Sequence, residues 1–86
     1  MRTRIDEVFD FMIELDYVCG PATKPAGEWA HKADGASNAT ILTLTWREGN
    51  RTYGEKMVIP NGDAFDFNEA KEELDAIVKR AREVLK

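Results

Sequence analysis

Eighty-six residues leave room for one hydrophobic core, and 43% hydrophobic against 33% charged residues is the balance of a globular chain rather than a disordered one. No apolar run is longer than three residues, which excludes a membrane-spanning helix. The formal charge of −4 has no basic stripe beneath it, which argues against a duplex nucleic-acid binder.

A first helix is predicted after Thr3, whose hydroxyl is suited to cap the amide of Asp6. At about 100° per residue, Ile5, Val8, Phe9, Met12 and Leu15 share one face, with Phe11 and Ile13 on its flanks. Asp6, Glu7, Asp10 and Glu14 fall on the opposite arc, and no base lies between residues 5 and 18. Cys19-Gly20-Pro21 stops the helix, since Gly suits a left-handed cap and Pro cannot continue. Residues 20–38 read mainly as loop and turn. Within them, 28–32 alternates about Trp29 and is expected as a short edge strand, the alternative being a loop with Trp29 plugged into the core.

Residues 39–47 and 51–59 read as two strands joined by a Gly49-Asn50 turn with positive φ at Gly49. That turn pairs Glu48 with Arg51, Trp46 with Tyr53, Leu44 with Glu55 and Leu42 with Met57. Leu42, Leu44, Trp46, Tyr53 and Met57 then share a core face, while Thr43, Thr45, Arg47, Thr52 and Lys56 share the other. Glu55 is the misfit on the apolar side; a bulge at Gly54 would turn it outward, and a longer turn would shift the register altogether. Pro60-Asn61-Gly62 ends the hairpin. Asp66, with Glu69 three residues on, caps a second helix whose apolar arc holds Phe67, Ala70, Leu74, Ile77, Val78, Ala81, Val84 and Leu85. The expected fold is therefore α+β, a single-domain, two-layer α-β-β-β-α sandwich with both helices on one face of a small antiparallel sheet.

Chemistry is sparse. One Cys and one His cannot close a structural zinc site, the acids lack calcium-loop spacing, and the glycines are too scattered to cradle phosphate. Cys19 follows the helix in a loop where a nucleophile could be exposed, but nothing ties His31 to it as a base. No catalytic residue, metal or cofactor is assigned, and no enzymatic activity is expected. The lone cysteine and the acids that follow Met1-Arg2-Thr3-Arg4, in place of a secretory signal, point to the cytoplasm.

Two surfaces are candidates for binding. The acidic arc of Asp6, Glu7, Asp10 and Glu14 suits a basic partner, and its bland reading is a solvated helix face. The hairpin tip combines the Trp46–Tyr53 pair with Arg47 and Arg51, residue types that dominate interfaces and stack on single-stranded nucleic acid; its bland reading is that the two rings cap the core. The element order is also that of double-stranded-RNA-binding domains, whose second helix opens on a lysine cluster. Here Asp66, Glu69, Glu72 and Glu73 surround Lys71 and would repel RNA, and no family is recognised. The expectation is a small, acidic, non-enzymatic module that engages a protein partner, its sharpest form being an inhibitor that mimics nucleic acid, as some phage-encoded proteins do. The alternatives are single-stranded nucleic-acid binding through the Trp46/Tyr53 hairpin and a homodimeric structural protein.

Overall fold

The computed structural model describes residues 4–86, with side chains from Asp6 onward; the expected Thr3 cap and the Ile5 side chain lie outside the described residues. Helix α1 (Arg4–Val18) leads to strands β1 (Ala26–Asp34), β2 (Ala39–Glu48) and β3 (Arg51–Pro60). A 3-10 turn at Gly62–Ala64 then precedes helix α2 (Phe67–Val84). The strands form one antiparallel sheet in the order β1-β2-β3, and both helices cover the same face of it. The fold is α+β, as the order of elements predicts.

The β2–β3 register follows from its turn. Glu48 faces Arg51, Trp46 faces Tyr53, Leu44 faces Glu55 and Leu42 faces Met57. Gly49 adopts φ 61°, the positive value that a tight hairpin needs at its first central residue. Leu42, Leu44, Trp46 and Met57 are buried beneath the helices, while Thr43, Thr52 and Lys56 are exposed on the other face. The expected bulge at Gly54 is absent, because Gly54 pairs with Thr45 in unbroken register. Glu55 stays on the helix side and is met there by Arg80 of α2, whose Nε and Nη2 donate to its two oxygens at 2.7 and 2.8 Å. This forked ion pair resolves the misfit without moving the backbone.

The expected strand at 28–32 is in fact nine residues long, Ala26–Asp34, and pairs with β2 from Ala26↔Arg47 to Asp34↔Ala39. Its weak signal has a packing cause. A Cβ on Gly27 would lie 2.8 Å from Trp46 Cδ1 and 2.9 Å from Cys19 Sγ, so a residue without a side chain is needed where indole and thiol cross the strand.

Helix α1 is rotated by roughly 90° from the predicted orientation, reckoned on the helical period. Its buried contacts are Phe11 and Leu15, with Val18 half-buried and Cys19 just beyond. Phe9 and Ile13, expected on or beside the core face, point to solvent. The cause is the approach to α2: the Phe11 ring meets Phe65 and Phe67 edge-on, with centroids 5.9 and 6.3 Å apart. The helix stops where expected, but Gly20 does not take positive φ. Helix α2 matches its prediction more closely. Asp66 Oδ1 accepts from the amides of Asn68 and Glu69, and Ala70, Leu74, Ile77, Val78, Ala81 and Leu85 are buried. Val84, predicted on the same arc, is exposed at its edge in the last turn.

Candidate functional site

With Phe11, Leu15 and Val18 turned inward, α1 presents a second apolar stripe to solvent. Phe9, Ile13 and Tyr17 recur every fourth residue and are 59%, 64% and 81% exposed. Four residues advance a helix by about 400°, so these side chains line up along one face, opposite the buried one. Singly exposed apolar residues are unremarkable, but three large ones in register form a patch.

The acids frame this stripe rather than forming a separate arc. Asp6 is exposed beside it; Asp10 is half-buried on its flank. Glu7 lies toward the start of α2, beside Phe65 and Phe67. Glu14 is 3.5 Å from Lys71 of α2, an ammonium that Asp75 grips more closely at 2.7 Å. The pKa of Lys71 is raised, first by its hydrogen bond to Asp75. On the other flank Asp16 accepts a 2.7 Å hydrogen bond from the indole N–H of Trp29.

The four hairpin candidates do not come together as one surface. Trp46 is 2% exposed, and its indole N–H donates to the carbonyl of Val18 at 2.9 Å. It seals the core against the end of α1 and offers no ring to stack upon. Tyr53 is half-buried and its hydroxyl donates to Glu55. Arg47 points to the opposite sheet face and pairs with Glu28 at 3.0 Å. Arg51 turns to the end of α2 and donates to the carbonyls of Val84 and Lys86 at 3.0 and 2.7 Å. The Val84 carbonyl is one that a helix end leaves unpaired, at the negative pole of its dipole, and Lys86 lies just beyond it.

Cys19 is also interior, not in an exposed loop. Its thiol is 1% exposed and donates to the carbonyl of Glu28 at 2.8 Å. Burial pushes the thiol up to about 11, so it carries almost no thiolate at neutral pH. His31 lies beside Trp29, their ring centroids 6.2 Å apart. Among the described residues, no group of three or more His, Cys, Asp or Glu could hold a metal ion, and no helix is long and apolar enough to cross a membrane.

One cleft of about 310 Å³ opens between the first half of α1 and the far end of the sheet. Its walls are apolar, including Val8, Met12, Trp29 and Phe65, and Thr40 and Asn61 at its rim bond to each other at 3.0 Å. Convergent polar groups that would orient a small molecule are few there. Compared with protein-family models, curated proteins and solved structures, the chain gives no significant match to any of them.

The stripe Phe9–Ile13–Tyr17 is the feature that reading the sequence for one amphipathic face misses. Its signal was present, since apolar residues four apart recur in three rows on α1, through Phe11 and Leu15, through Val8 and Met12, and through Phe9, Ile13 and Tyr17.

Proposed function

We propose that this chain is a small binding module that takes a basic protein partner on the outer face of α1. The observation that carries the reading is the exposed Phe9–Ile13–Tyr17 stripe, set within acids. An apolar helical stripe fits a groove through residues one turn apart, and the aromatic members supply contact area at low entropic cost. Asp6, Asp10 and Glu14 beside it favour a positively charged groove and quicken encounter with it. A partner that itself binds nucleic acid is the sharpest case, with the acids of α1 standing where phosphates would lie and the module acting as an inhibitor. The reading takes the cytoplasm as its setting, in keeping with a single cysteine that has no second thiol in the chain.

The test is capture by the tagged chain from nuclease-treated extract of its own cells, run beside a Phe9→Ser, Ile13→Ser double variant with an unchanged melting curve. A basic protein should be retained by the parent and lost from the variant, and its association should slow as salt is raised. Equal retention by the variant, or nothing retained once nuclease has acted, overturns the proposal.

A further inference from the structure

Among the described residues no strand lies beside the outer edge of β1, since the sheet order is β1-β2-β3. Such an edge invites pairing unless charge, proline or a covering element blocks it. Here the middle of the strand is Glu28-Trp29-Ala30-His31-Lys32, without proline and with alanine at its centre. The backbone shows which groups are available. The amide of Gly27 points away from β2, because it donates to the carbonyl of Gly20 at 3.0 Å. Strand residues alternate in direction, so Trp29 and His31 also turn their N–H and C=O groups outward, while Ala30 turns its own toward β2.

We propose that this edge pairs antiparallel with the same edge of a second copy, about a two-fold axis at Ala30, to give one continuous six-stranded sheet. Three independent features meet in that register. Trp29 of each copy lies opposite His31 of the other, and these are the residues whose backbone groups face outward, so they exchange N–H···O=C bonds. Ala30 lies opposite Ala30 at the closely spaced, non-hydrogen-bonded position, where small side chains fit. Glu28 lies opposite Lys32 of the second copy, twice by symmetry, on the sheet face away from the helices. Moving the axis one residue toward His31 sets Glu28 against Asp34, and moving it two sets Lys32 against itself, both oppositions of like charge; moving it one residue toward Trp29 calls on the amide of Gly27, which the carbonyl of Gly20 already holds. Pairing ends at Glu28 because the loop at Gly20 occupies the amide of Gly27. Above the same edge, Val8 and Met12 of α1, 40% and 38% exposed, share the apolar cleft with Trp29 and His31. The second copy brings its own cleft opposite them, so apolar side chains flank the new ladder on the helix side. The other edge is less suited, since β3 carries Lys56 in its middle and ends in Pro60. The surface is distinct from the Phe9–Ile13–Tyr17 stripe and does not depend on the partner proposed for it.

The experiment is sedimentation velocity on the full chain at concentrations on the order of 100 µM, with two single variants. The parent should sediment as a dimer. Glu28→Lys leaves only bases at the two facing positions, and Lys32→Glu leaves only acids, so each alone should be a monomer. An equimolar mixture of the two restores opposite charge at both contacts and should return to the dimer. His31→Pro removes an outward amide without touching the β1–β2 ladder and should yield a folded monomer. A parent that stays monomeric overturns the proposal. So does a dimer that the charge variants and His31→Pro leave intact, or one that the mixture fails to restore while both variants keep the parent's circular dichroism.

Discussion

Glu55 is the residue at which local pattern and tertiary chemistry disagree most sharply. Its strand alternation points it at the helices, and α2 supplies Arg80 to receive it. The guanidinium, joined by the Tyr53 hydroxyl, holds the carboxyl below its ordinary value of 4.5 against the opposing effect of burial. Tyr53 moves the other way, raised chiefly by the same hydrogen bond to Glu55. For a carboxyl lowered in the folded state, the linked stability is present above the unfolded pKa and is lost as pH falls through the folded one. The melting temperature of Arg80→Gln should therefore lie below the parent's near neutral pH, with the gap narrowing as pH drops below 4.5. Thermal melts between neutral pH and pH 3 decide it; a gap independent of pH would mean that Arg80 contributes packing alone.

At the scale of elements, the orientation of α1 determines what the molecule can offer a partner. Two phenylalanines two residues apart lie on opposite sides of it. Phe11 is buried against Phe65 and Phe67, whereas Phe9 is mostly exposed. Phe11→Ala should cost about 3–5 kcal/mol, as truncation of a buried aromatic does. Phe9→Ala should stay within about 0.5 kcal/mol, as exposed substitutions do. Urea denaturation of the two variants measures both. Equal losses would mean that α1 packs through the face its periodicity predicts rather than the one described. Helix α2 has no such ambiguity, because Leu74 and Ile77 lie at the centre of its only apolar face.

At the scale of the whole molecule, charge and aromatic placement together bear on nucleic acid. The net charge is −4, the fully buried Trp46 is closed to bases, and Arg47 and Arg51 are engaged on different sides of the sheet. Stacking on single strands needs exposed rings framed by positive charge. Fluorescence anisotropy of labelled oligo-dT at low salt should show no binding at tens of micromolar protein, on the order of the weakest useful affinities. Saturable binding there, abolished by added salt, would restore the hairpin to candidacy.

The sequence by itself determined the α+β order, the Asp66 cap and the buried face of α2, and it favoured the β2–β3 register set by the Gly49-Asn50 turn, with a bulge or a longer turn as alternatives. Each rests on interactions within a turn of helix or across a tight turn, between residues close in the chain. It also favoured a short strand at 28–32 over a loop with Trp29 plugged into the core, but not one that runs from Ala26 to Asp34, because Gly27 must lack a side chain where Trp46 and Cys19 cross the strand. Only the tertiary structure decided which side of α1 is buried. That helix carries apolar residues on both sides, its period points to a face that includes Phe9, and the Phe65 and Phe67 rings that select Phe11 instead arrive some fifty residues later, from the segment that opens α2. The same choice left Phe9, Ile13 and Tyr17 outside, so the surface that best suits a partner is a consequence of how the two helices meet.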